Sequence, residues 1–172
     1  MPFIDHDVAE VNAGMDWIDE SLDKVNCKEK YMIEGNHDDW MNSFVSEHPF
    51  MKGYKFKECV KLKERGYKYY PAGKFLKLGK LHLYHGHHFS GMHHTRNHLI
   101  RLGANIMYGH HHDLQQASVT HMDGVKSAWS IGCLKDMREE QNEWLGGRRI
   151  NWSHAFAIVD FFAKGHFTVH VI

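Results

Sequence analysis

What the 172 residues lack narrows the field first. There are only three cysteines, Cys27, Cys59 and Cys133, far apart and with no CxxC pair. So few scattered thiols make neither a disulfide framework nor a cysteine zinc site, and they suit a reducing compartment, so a cytoplasmic protein is expected. Net charge is absent as well. Lys+Arg and Asp+Glu stand at 21 each, which removes any overall pull toward nucleic acid or an anionic membrane. No apolar run approaches the roughly 20 residues of a membrane span. The opening MPFIDHDVAE carries neither the basic nor the apolar region of a secretory signal, so no membrane partner is expected. Internal repeats, linkers and low-complexity tracts are missing too, and a single domain over 1–172 is the expectation.

What is present is a folding composition, 42% apolar and 24% charged, with one outlier: 17 histidines. Val8, Val11, Met15, Ile18, Leu22 and Val25 recur at steps of three and four, which predicts an amphipathic helix started by an Asp7/Glu10 capping pair. KYMIEGNHDDW reads as a short strand, Tyr31 to Ile33, breaking at Gly35 into a polar loop before a helix around Met41 to Glu47. Lys55 to Arg65 reads as a helix closed by Gly66. The lysine-rich stretch from Lys52 to Lys68 is read as a solvated face, with a nucleic-acid contact as the other reading.

Beyond it, short strands turn at Gly73 and Gly79 and end with Leu81 to Tyr84. A helix from His93 to Leu102 stops at Gly103, and a strand runs from Asn105 to Tyr108. Hairpins are expected around Asp123-Gly124 and Lys164-Gly165. Strands alternating with helices, followed by antiparallel hairpins, imply a layered α/β fold.

Three places repeat one arrangement, an apolar strand followed by glycine among metal-ligand residues. They are Gly35-Asn36-His37-Asp38, His85-Gly86-His87-His88 and Gly109-His110-His111-His112. Loops at the carboxyl ends of neighbouring strands in an α/β sheet open onto one crevice. Imidazole nitrogen combined with amide or carboxylate oxygen suits Mn, Fe, Zn or Ni. A single histidine loop is more often a hydrogen-bonded surface feature, but three loops with one layout favour a metal site.

GNHD, then a strand-terminal HG, then GHHH resembles the later signature of the calcineurin-like metallophosphoesterases, G-N-H-[DE] … H … G-H-x-H. The tail GRRINWSHAFAIVDF is similar to that of phage and bacterial members of the superfamily. The resemblance implies a β-sandwich flanked by helices and a two-metal hydrolase of phosphomono- or phosphodiesters. In it Asn36, His85 and His110 would hold one metal, and His112 would belong to the other. His37 would contact the scissile phosphate or act as general acid, with Asp38 orienting its imidazole, and His111 would point away as a bystander.

The family's earlier motifs, D-x-H and G-D-x-x-D, which carry the bridging aspartate, do not occur in this chain. Asp5-His6-Asp7 is the one acidic cluster that could substitute. The sequence therefore resembles the C-terminal two-thirds of the family fold, N-terminally truncated. A homo-oligomer or an N-terminal complementing chain is the expected partner. Two further readings stay open: a non-catalytic metal-binding or assembly remnant, and the subunit of a split phosphoesterase or nuclease acting on nucleic acid or nucleotide.

Overall fold

The computed structural model describes residues 2–148 and 150–172, with side chains described from residue 8 onward. The side chains of Asp5, His6 and Asp7 therefore lie outside the described residues, as does Arg149 of the tail motif. Two compact units divide the chain, Met1–Ala72 and Gly73–Ile172.

The N-terminal unit contains α1 (Pro2–Lys24), β1 (Lys30–Ile33), α2 (Asn36–Glu47), α3 (Phe56–Cys59) and β2 (Tyr67–Tyr70), with a 3-10 turn at Pro49–Tyr54. α1 begins earlier than the Asp7 cap expected from sequence. Proline is favoured at a first helical position, where its missing N–H costs nothing. β1 and β2 pair in parallel, Lys30 opposite Tyr67 through Ile33 opposite Tyr70. Met15 of α1 packs with Phe56, Val60 and Leu62 into a core that Ile18, Met32, Met41, Tyr67 and Tyr69 cover.

The Lys55–Arg65 helix is only partly formed. It stops at Cys59, and Lys61 turns into the left-handed region with φ 53°. That reversal carries Leu62 inward beside Val60, which a continued helix would not do. The lysine-rich stretch is thus mostly turn, and part of its charge is used within the chain. Arg65 pairs with Asp16 and Asp19, each at 2.6 Å, and Lys68 pairs with Glu29 at 2.5 Å.

The C-terminal unit is built on a five-stranded sheet in the order β3-β4-β5-β7-β6. The strands are β3 (Leu76–Leu78), β4 (Leu81–Leu83), β5 (Asn105–Tyr108), β6 (Leu114–His121) and β7 (Gly124–Ile131). β4, β5 and β7 run parallel, while β3 and β6 are antiparallel edge strands. Helix α4 (His94–Leu102) ends at Gly103, whose φ of 61° makes the left-handed cap expected from sequence. α4 packs on the sheet through Leu99, which joins Tyr84, Ile106, Tyr108 and Ala128 in the core. Leu99 is 0% exposed, and burying such a side chain contributes about 1.5–3 kcal/mol.

The chain ends in a hairpin, β8 (Ala157–Phe161) with β9 (Phe167–Val171). Its turn meets the β3–β4 turn backbone to backbone. Lys80 N donates to Gly165 O at 3.0 Å, and a Cβ on Gly79 would lie 2.9 Å from that same oxygen. The molecule is an α/β protein with mixed sheets. All three cysteines are free thiols, and among the described residues no helix is long and apolar enough to cross a membrane.

Asp19 ties the N-terminal unit together, accepting from Lys30 at 2.8 Å, Arg65 at 2.6 Å and the Tyr67 hydroxyl at 3.0 Å. Burial alone would raise its pKa, but the hydrogen bonds from Lys30, Arg65 and Tyr67 outweigh burial and hold it below the ordinary value. Asp19→Asn should therefore cost about 1–3 kcal/mol at neutral pH. A carboxylate with a depressed folded pKa gives stability that is complete above its unfolded value, about 3.9. That stability is lost as pH falls through the lower folded value. Denaturant titrations of wild type and variant should accordingly converge below about pH 4, and a gap that is constant with pH would contradict the assignment.

Candidate metal centre

Parallel pairing of β4 with β5, Leu83 opposite Met107, brings the carboxyl ends of the two strands side by side. Buried Tyr84 directly follows β4, buried Tyr108 ends β5, and ligand-type residues come after each. The pairing continues one step beyond the strands, where His110 N donates to His85 O at 3.0 Å. Side chains follow backbone: His85 Nε2 and His110 Nδ1 lie 2.9 Å apart, with ring centroids separated by 4.8 Å at 72°.

The 2.9 Å separation is that of a hydrogen bond between the two rings. Imidazole nitrogens so placed are donors of the type that suits Mn, Fe, Zn or Ni alike. Among the described residues no group of three or more His, Cys, Asp or Glu side chains is placed to hold a metal ion. What the described side chains supply at this strand end is the imidazole pair.

Gly86 is obligatory for it. Its φ is 106°, and a Cβ there would sit 2.5 Å from the Tyr108 ring. The turn after β5 is closed by His112 N donating to Gly109 O at 3.1 Å, which leaves His112 itself at φ 60°. His112 O accepts from Ser153 N at 2.8 Å, and its imidazole meets the Trp152 ring edge-on at 4.8 Å. His111 points elsewhere, its Nε2 donating to Phe89 O at 3.0 Å. Burial lowers its pKa, against the Phe89 carbonyl, which raises it.

The GNHD residues lie in the N-terminal unit. They are not a loop, as expected from sequence, but the first turn of α2, with Gly35 as its cap. Asp38 Oδ2 accepts from Gly35 N at 2.9 Å, the carboxylate half of a capping box. The bond shown for Asp38 is this cap, made through one of its two oxygens. Burial and the neighbouring Glu34 charge raise the Asp38 pKa, against the Gly35 N–H, which lowers it. His37 is exposed and stacks on Trp40 at 4.7 Å and 20°. Asn36, half-buried, opens the helix. Glu34, 3% exposed, anchors the segment by accepting from Asn42, the Tyr69 hydroxyl and Ala72 N.

Two neighbours escaped the sequence reading. The His87 ring lies 5.7 Å from His85 and 6.3 Å from His110, and Trp152 covers His112. The repeated histidines of HGHH were a signal for the first, whereas nothing in linear spacing tied Trp152 to a turn 40 residues earlier.

Gly86→Ala should destabilise the protein by about 2–4 kcal/mol, from the backbone conformation together with overlap on Tyr108. Gly53→Ala, where an added Cβ meets nothing within 4 Å, is the matched control. Urea titration checks both, and equal midpoints for the two variants would contradict the packing described. No protein-family model, no curated protein and no solved structure matches the chain.

Proposed function

We propose that this chain is a metal-dependent phosphoesterase of the calcineurin-like type, hydrolysing phosphomono- or phosphodiesters. The observation that carries the reading is the 2.9 Å approach of His85 Nε2 and His110 Nδ1 at the ends of two adjacent parallel strands. These are two of the residues the signature assigns to one metal, in the order it requires. On this reading the fold is the metallophosphoesterase sandwich without its first strands. His85 and His110 would hold a divalent Mn, Fe, Ni or Zn ion, and the resemblance assigns Asn36 to that ion and His112 to a second. A cation bound there supplies Lewis-acid polarisation of a phosphoryl oxygen and acidifies a water.

The remaining work falls to the chain's own groups. His37 is exposed, with its ring face held by Trp40, so its nitrogens are free to meet an incoming phosphate. There it hydrogen-bonds a phosphoryl oxygen or gives a proton to the departing one. Asp38 caps the helix that presents Asn36 and His37. Carboxylates to offset the cation charge are not among these donors. They come from a second copy, another polypeptide segment, or Asp5 and Asp7.

That neutral donor set also favours a second reading, a metal-binding module without catalysis. The nuclease reading has less support, because Arg65 and Lys68 are already paired within the chain.

The reading is tested with wild type, His110→Ala and His37→Ala, each loaded with Mn²⁺, dialysed and assayed on an aryl phosphodiester. His110→Ala should lose the metal by elemental analysis. His37→Ala should keep it and lose about 10²–10⁴-fold in rate. Metal uptake without turnover in wild type selects the module, and absence of uptake in wild type removes both readings.

A further inference from the structure

One imidazole touches the ligand turn at its start, middle and end. His94, the first residue of α4, is 2% exposed, and both its ring nitrogens are engaged. Nδ1 accepts from the Tyr108 hydroxyl at 2.5 Å, and Nε2 donates to Asp113 Oδ2 at 3.0 Å. Tyr108 is the last residue of β5 before the turn, and Asp113 is the residue directly after His112. Between them His111 stacks on the face of His94, with centroids 3.8 Å apart and planes at 21°.

The two contacts fit one assignment of donors and acceptors. In it the tyrosine donates to Nδ1 and Nε2–H donates to the carboxylate. Asp113 is braced in turn by Ser130 of β7, whose hydroxyl donates to Oδ1 at 2.8 Å, and by Gln115 Nε2 on Oδ2 at 2.8 Å. His94 O accepts from His98 Nδ1 at 2.7 Å one helical turn on, and the His98 ring stacks on Tyr108 at 4.1 Å. The clamp therefore reaches into the helix on one side and the sheet on the other.

The turn needs holding. His112 sits at φ 60°, a conformation uncommon for a side chain bearing a Cβ, though one that histidine adopts more readily than most. Its carbonyl is fixed by Ser153, but from that point the backbone enters Asp113, whose carboxylate His94 grips.

We propose that His94 is a positioning residue for the metal centre, setting the bearing of His110 and His112 by clamping Tyr108, His111 and Asp113 together. The proposal rests on reading this turn as a ligand turn. It assigns a role to a histidine outside all three ligand motifs, and it makes α4 the element through which packing against the sheet reaches the ligands.

The test compares wild type, His94→Gln, Tyr108→Phe and Leu99→Ala as full chains, first without metal and then with Mn²⁺. Leu99→Ala removes core packing beneath Tyr108 without removing any hydrogen bond of the clamp, so it reports what loss of packing alone does. Amide hydrogen exchange without metal should rise at least tenfold over residues 109–113 in His94→Gln relative to Leu99→Ala. Tyr108→Phe should rise in the same direction by less, and it decides the matter if His94→Gln does not fold. Mn²⁺ affinity should fall about 10–100-fold in His94→Gln and stay near wild type in folded Leu99→Ala.

Exchange in the turn rising no more than in β5 overturns the proposal, whatever the metal result. Selective loosening of the turn in a protein that takes up no Mn²⁺ supports the clamp and removes the metal reading instead.

Discussion

The parallel pairing of β4 with β5 is the constraint on which the C-terminal unit depends. Parallel strands share a direction, so their carboxyl ends emerge together, and the register of Leu83 on Met107 aligns those ends to within one residue. With that register His85 and His110 meet, and their backbones continue the ladder for one further bond. A slip of one residue would turn the side chains of one strand to the opposite face and separate the imidazoles. The buried residues enforce the register, because Tyr84, Ile106 and Tyr108 all have to enter the same core under α4.

Buried or half-buried carboxylates hold each unit by the same logic. Asp19 gathers α1, β1 and β2, Glu34 gathers the end of β1, α2 and the end of β2, and Asp113 gathers α4, β6 and β7. Each is surrounded by donors, so the cost of removing the charge from water is offset by several charge-assisted bonds. For Asp113, burial pushes the pKa up, but the hydrogen bonds from His94, Ser130 and Gln115 carry it below the ordinary value.

Where alternation or a glycine governs local structure, the sequence is legible. The β6–β7 hairpin, the cap at Gly103 and β5 from Asn105 to Tyr108 follow directly from it. The stretch from Lys55 to Arg65 misleads because its apolar residues fit a helix, while a tight reversal at Lys61 buries Val60 and Leu62 equally well. GNHDD looks like a loop because every residue in it is small or polar. Those residue types are also the ones that open a helix, and the Asp38 bond to Gly35 N decides for the helix. At the site, the pairing of His85 with His110 was readable from the strand ends. The part played by His94 was not, because it depends on which face of α4 meets the sheet and which rotamer fills the space beneath His111.

The contact between Gly79 and Gly165 binds the terminal hairpin to the sheet in a particular way. A Cβ on Gly79 would meet Gly165 O at 2.9 Å, and one on Gly165 would meet Gly79 Cα at 3.1 Å. Beside it the Lys80 N–H donates to Gly165 O at 3.0 Å and Lys80 Nζ lies 3.3 Å from His166 Nε2, so the close approach of the two glycines is what brings both bonds within reach. Substituting either glycine opens the same seam, and a second substitution finds it already open. The two positions therefore share one tolerance for change, although 86 residues of sequence separate them.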